Sequence, residues 1–182
     1  MRTTLRIVTG LLFMAPVPRV LPAQNTTSVP VPTVEPRSED VASIDGIMHA
    51  FYDVIYGPAG APRQWSRDRS LYIPDVHFVS MSKNNDRINA RVMTHQQFVD
   101  GSNEFLVTHG FYEIEIHRVT RRFGNIAHVL STYESRERLD RPVTDRGVNS
   151  LELFWDGKRW WIAAAIWDEE RPDNPIPGDL LP

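Results

Sequence analysis

The sequence predicts an α+β fold: a helical first half packed against a mostly antiparallel sheet that curves round one apolar pocket. Two observations carry this. Between residues 38 and 56 apolar side chains recur at helical spacing. From residue 111 onward, long alternating runs are interrupted by Gly124-Asn125 and Asp156-Gly157, dipeptides that favour two-residue hairpin turns. A chain of 182 residues, 41% hydrophobic and 24% charged, suits one globular domain with tails.

The elements follow in order. Ser38 is a good N-cap, and Glu39 and Asp40 place negative charge on a first helical turn. Val41, Ile44, Met48, Phe51 and Ile55 then form one stripe, ended by Gly57-Pro58-Ala59-Gly60. Pro62 starts a short second helix that carries Trp65 inward. Pro74-Asp75 reads as a turn, Val76 to Met81 as a strand and Lys83 to Asn89 as a polar loop, and Thr94 caps a third helix over His95 to Val107. Four strands complete the domain, Phe111 to Phe123, Ile126 to Arg138, Val148 to Trp155 and Lys158 to Asp168.

Tight hairpins determine which residues share a face. Through Asp156-Gly157, Leu153 faces Trp160, Leu151 faces Ile162 and Asn149 faces Ala164, and this inner face continues to Ile166 and Asp168. Through Gly124-Asn125, the mostly apolar face holds Tyr112, Ile114, Ile116, Arg118, Val129, Ser131 and Tyr133. Glu115 and Glu134 would oppose each other on the other face, which two carboxylates tolerate only in water. That face is therefore the outer one. Arg118, Ser131 and Tyr133 form a polar streak inside, which a core that only needed filling would rarely hold.

Net charge is −3 with both signs interspersed, which offers no basic surface for nucleic acid. The absence of cysteine excludes disulfides and thiolate chemistry. Residues 1–23 have the layout of a secretory signal peptide: Arg2 and Arg6, an apolar run from Ile7 to Ala15, and Leu21-Pro22-Ala23 before Gln24. The run is too short to span a bilayer, so the expectation is an exported, periplasmic or secreted protein without a membrane span. Residues 24–37, rich in Thr, Val and Pro, read as a flexible linker, residues 38–170 as the domain and residues 171–182 as a Pro-rich tail.

Several segments resemble the nuclear transport factor 2-like superfamily, which includes ketosteroid isomerase and the SnoaL-like polyketide cyclases. They are Phe51-Tyr52, Leu71-Tyr72-Ile73-Pro74-Asp75, Arg122-Phe123-Gly124-Asn125-Ile126-Ala127-His128-Val129, Thr132-Tyr133-Glu134 and Trp155-Asp156-Gly157-Lys158-Arg159-Trp160-Trp161-Ile162. The likeness covers about residues 38 to 170 and lies in element order and spacing. It is greatest to exported members without an assigned function. It implies a cone-shaped half barrel with helices in the concave face, a small-molecule pocket at the open end, and frequent dimerisation through the outer sheet face. No catalytic residue of the superfamily maps onto this chain.

The candidate chemistry therefore comes from the residues themselves. A buried carboxylate base with hydroxyl or cationic partners is the natural set for such a pocket. Asp168 is the candidate base, with Tyr133 as hydroxyl donor and Arg118 as electrostatic partner; Tyr112, Ser131, Asn149 and Trp160 are candidate ligand-pocket residues. Six histidines show no metal-binding spacing, and His117 and His128 fall roughly 13 Å apart along their strands. No metal or cofactor is expected. Phe154, Trp161 and Trp167 would form an outer apolar patch that fits a homodimer. The function expected is binding of a small apolar or amphipathic molecule, with isomerase-, dehydratase- or hydrolase-like activity open. The alternative is a non-catalytic interaction module with a filled cavity.

Overall fold

The computed structural model describes residues 28–182, so the signal-peptide reading of residues 1–23 lies outside the described residues. Two helices, α1 (Ser38–Val41) and α2 (Ile44–Asp53), replace the single one expected. The break falls at Ser43, whose hydroxyl accepts from the Gly46 backbone N–H at 2.9 Å and caps α2 afresh. Ser38 is consequently the first helical residue and not the cap. Then come α3 (Trp65–Arg69), β1 (Tyr72–Asn84), β2 (Arg87–Met93) and α4 (His95–His109), the last opened by a capping box between Thr94 and Gln97. The chain continues through β3 (Tyr112–Phe123), β4 (Ile126–Arg136), β5 (Asp145–Trp155) and β6 (Trp160–Glu169).

The six strands form one sheet in the order β2-β1-β6-β5-β4-β3. All neighbours are antiparallel except β1 and β6. Strand β2 begins inside the expected polar loop and is an edge strand, reached through a turn in which Asn85 takes φ 52°. Its Ile88 and Val92 are exposed, and polar residues between them hide its alternation. Pro74-Asp75 is not a turn; it lies in an irregular stretch of β1 between the pairs Tyr72–Ile162 and His77–Ala164.

The two hairpins differ from each other. Gly124-Asn125 is the expected two-residue turn, with Phe123 opposite Ile126. The β5–β6 connection is four residues long and pairs Trp155 with Trp160. Asp156 makes it so, accepting from the backbone N–H groups of Lys158 and Arg159 and from the Trp161 indole. A two-residue lengthening preserves alternation, so Leu151, Leu153, Trp160 and Ile162 are buried as expected.

Two β-bulges then invert the alternation. On β3, Ile116 is an extra residue between the pairs His117–Thr132 and Glu115–Tyr133. On β6, Ala163 is extra between Ile162–Leu153 and Ala164–Glu152. Each bulge bends its strand and sends every side chain beyond it to the opposite face. Glu113 and Glu115 thereby turn inward with Tyr133 and Ser135, and Ile114 and Ile116 turn outward. On β6, Ala165 and Trp167 turn inward, while Ile166 becomes 42% exposed. The expected inner positions Ile114, Ile116, Ala164, Ile166 and Asp168 are corrected accordingly, as is the outer placement of Trp167.

Beneath the sheet lies a core of Ile47, Met48, Val54, Leu71, Val76, Phe78, Val129, Leu151 and Ile162, each almost fully buried. Residues 28–37, read as a linker, form no helix or strand. Val29 and Val31 nonetheless pack with Trp65, Val99 and Leu106, and the Val29 backbone N–H donates to Asp100 at 2.8 Å. The tail ends in a 3-10 turn (Gly178–Leu180) packed on β3 and β4, where the Thr132 hydroxyl donates to the Leu180 carbonyl at 2.6 Å. Among the described residues no helix is long and apolar enough to cross a membrane.

Candidate functional site: a cavity at the open end of the cone

The hairpin turns of β3–β4 and β5–β6 lie at one end of the sheet, where side chains fill the interior. At the other end, beyond both bulges, the interior is open. A cavity of about 420 Å³ lies between the sheet and α4, within the range of small-molecule sites. Its apolar walls include Phe51 and Ile55 of the helical section, Phe78 of β1, Phe98 and Phe105 of α4, and Trp167 of β6. Phe98 stacks on Phe78 and meets Trp167 edge-on, so three elements share one aromatic wall. A wider groove outside the cone, between the N-terminal strap and α3, is less promising. Of its three cations, Arg37, Arg63 and Arg67, the last two are engaged by backbone carbonyls and by Asp40 and Asp53.

The polar side of the cavity is a hydrogen-bonded chain. Asn149 Nδ2 donates to Glu113 Oε1 at 3.2 Å and to the Tyr52 hydroxyl at 3.1 Å. Tyr52 donates to the Ser131 Oγ at 2.6 Å, and Ser131 donates to Glu115. Arg118 closes the chain, with Nε 3.1 Å from Glu115 and Nη2 3.0 Å from Asp45. Glu115 therefore has a cationic partner, whereas Glu113 has one neutral amide. Glu113 faces the cavity and is crowded by protein, and this desolvation pushes its carboxyl up from 4.5 to about 7, against the smaller opposing effect of Asn149. Burial and the nearby Glu113 charge push the Tyr52 and Tyr133 hydroxyls far above the ordinary phenol value, so both stay protonated.

A second buried pair supports the cavity wall. His95 Nε2 lies 2.8 Å from Asp68 Oδ2, both residues almost fully buried, and the Tyr72 ring packs against the imidazole. This ties α3 to the start of α4 and to β1.

Of the residues singled out from the sequence, Tyr133 and Asn149 line the cavity, and Ser131 lies behind it in the hydrogen-bonded chain. Arg118 is set back, holding Glu115. Three are elsewhere. Asp168 faces out and pairs with Arg171 at 2.5 Å, because the Ala163 bulge inverts β6 before reaching it. Tyr112 is turned from the cavity by the Ile116 bulge and packs edge-on against Tyr56. Trp160 belongs to the core at the hairpin end. Sequence reasoning missed Tyr52, Asp68, Glu113, Asp145 and Glu169. Unbroken alternation puts Glu113 and Glu115 on the outer face, and residues Tyr112 to Arg118 contain no glycine to mark the bulge.

The fold expected from the resemblance is the fold observed. A protein of unknown function with a cystatin-like fold from Nostoc punctiforme superposes with a TM-score of 0.55 at 11% identity, over 76% of this chain and 97% of that one. Two NTF2-like proteins of unknown function, from Silicibacter pomeroyi and Methylobacillus flagellatus, superpose with TM-scores of 0.47 at 9% and 11% identity. Each spans 71% of this chain, and 94% and 95% of the respective partner. No protein-family model and no curated protein matches the chain. At these identities the likeness is one of fold alone: the α+β cone shared with the cystatin-like protein.

Proposed function

We propose that the chain binds a small, largely apolar molecule in the cavity at the open end of the cone, and that Glu113 moves a proton on it. The observation that carries this reading is a carboxyl with a near-neutral pKa, held by Asn149 at the end of an aromatic-walled space. A group titrating near 7 serves as both acid and base at physiological pH. The protonated Tyr52 and Tyr133 hydroxyls supply neutral hydrogen-bonding groups nearby. Isomerase-, dehydratase- and hydrolase-like reactions all use such a set. The alternative of a filled cavity is not favoured, because side chains leave this space open.

Binding is tested by a thermal-shift screen of apolar and amphipathic metabolites against the wild type and Ser102→Trp, which fills the cavity from α4. Hits should raise the wild-type Tm and lose that effect in the variant. No hits, or shifts that persist in the variant, would sink the binding reading. Proton transfer is tested by incubating the hits in D2O. Deuterium incorporation should fall by about 100-fold or more in Glu113→Gln; exchange unchanged by the substitution would remove Glu113 from the chemistry.

Homodimerisation through the outer sheet face is proposed alongside, supported by exposed Ile166 and, further along the same face, half-buried Phe154 and Trp161. Light scattering that finds a monomer in both the wild type and Ile166→Glu would end that idea. Export, read from residues 1–23, is likewise a proposal, and secreted material should begin near Gln24.

A further inference from the structure

We infer that the cavity takes a cationic amphiphile, an apolar body ending in a protonated amine, with the ammonium group seated among Glu113, Asp145, Glu169 and the Tyr133 hydroxyl. This rests on the reading of the cavity as a ligand site and specifies its occupant.

Charge is the first argument. Asp68, Glu113, Asp145 and Glu169 all line the cavity, and no lining residue is Lys, Arg or His. Asp68 is paired with His95. The other three carboxylates have no cation inside the cavity. Arg171 exerts some pull on Glu169 but is bonded to Asp168 on the outer side, and Glu169 is pushed up by partial burial and by Asp145. An anionic ligand would meet this field with nothing to offset it, whereas an ammonium group would relieve the repulsion among the carboxylates.

The second argument is independent of charge. Tyr133 is only 5% exposed and lines the cavity, yet its hydroxyl has no hydrogen-bond partner among the described residues. The hydroxyl is not sealed in protein: it opens onto the cavity, where a ligand can bond it. Its position is imposed by the sheet. Tyr133, Gly147 and Glu169 lie side by side on β4, β5 and β6, with Asp145 two residues along β5. Gly147 has no side chain, and a Cβ there would come within 2.5 Å of the Tyr133 hydroxyl. The ring therefore lies over Gly147, and its oxygen feels the charges of Glu113, Glu169 and Asp145, the last two being solvent-exposed. The groups round this position are mainly acceptors, which suits a ligand end rich in N–H donors. Phe98, Phe105 and Trp167 receive the apolar body, and their faces also favour a cation.

The test uses three matched probes in isothermal titration calorimetry at pH 7.5: 4-phenylbutylamine, 4-phenylbutan-1-ol and 4-phenylbutanoate. The amine should bind about tenfold or more tightly than the alcohol, and the carboxylate more weakly than either. Raising the salt should narrow the gap between amine and alcohol. Glu169→Gln should weaken the amine severalfold and leave the alcohol unchanged, and Tyr133→Phe should act in the same direction. If the alcohol or the carboxylate binds as well as the amine, the cationic assignment fails and the ligand site stands. If none of the three binds, the ligand-site reading fails with it. Should either variant lose its native circular dichroism, the salt dependence of the wild type decides the matter.

Discussion

The two ends of the sheet are made by the same strands and differ in one respect. At the hairpin end the strands run in unbroken register, and their inward positions Ala127, Leu153, Trp160 and Ile162 pack into a closed core. Toward the open end, Ile116 and Ala163 each add a residue, and the inward positions become Glu113, Glu115, Ala165, Trp167 and Glu169. Unbroken alternation would have presented Ile114, Ile116, Ala164 and Ile166 there, and the interior would have been a second apolar core. The bulges thus exchange isoleucines for carboxylates without changing the fold. A site has been placed at one end of an otherwise ordinary sheet by two extra residues.

The largest expected effect comes from removing such a residue. Deleting Ile116 forces either the pairing beyond it to slip or Glu113 and Glu115 to leave the interior, and should cost more than about 4 kcal/mol in chemical denaturation or abolish cooperative unfolding. Deleting a residue from a segment free of bulges that tolerates the change equally badly would weaken the comparison. Next is Asp68→Ala, which leaves buried His95 without its partner and should cost about 3 kcal/mol. Gly147→Ala places a methyl group 2.5 Å from both the Asp168 carbonyl and the Tyr133 hydroxyl. It should cost about 1–3 kcal/mol and displace Tyr133 from the cavity.

The open end also carries a pH signature. Glu113, pushed up from 4.5 to about 7, resists ionisation when folded. Its contribution to stability is complete below about pH 4.5 and is lost as the pH rises through about 7, because the unfolded chain ionises first. Wild type should therefore lose on the order of 2 kcal/mol relative to Glu113→Gln between pH 5 and pH 8, read by urea denaturation at each. A constant difference would mean that Glu113 is solvated. The smallest effect belongs to Asp168→Ala. It breaks a partly buried surface pair with Arg171, should cost about 1 kcal/mol or less, and should leave ligand binding untouched. Glu169, the next residue, should show the opposite pattern.

The sequence was legible wherever local chemistry determines structure. Thr94 with Gln97 marked the start of α4, Gly124-Asn125 marked a hairpin, and the face of β4 holding Val129, Ser131 and Tyr133 followed from it. Beyond the bulges legibility ended for a physical reason. Ala163-Ala164-Ala165 are small enough for either face, so an inversion there leaves no trace in the hydrophobic pattern. Ile114 and Ile116 read as core residues, and the segment has no glycine to mark a bulge. Tyr52, by contrast, was in view as one of the residues of the superfamily resemblance, and its role needed only the knowledge that β4 and β5 pass over α2.

The inversion itself can be read directly, because the chain contains no cysteine. Ala165→Cys and Ile166→Cys, prepared singly, should differ sharply toward a maleimide reagent under native conditions. The bulge places position 165 at 1% exposure and position 166 at 42%. At concentrations where the protein is monomeric, a thiol at 166 should therefore react much faster than one at 165, which should be protected. Rapid labelling at 165 with protection at 166 would mean that β6 alternates without interruption, and that Trp167 and Glu169 do not face the cavity.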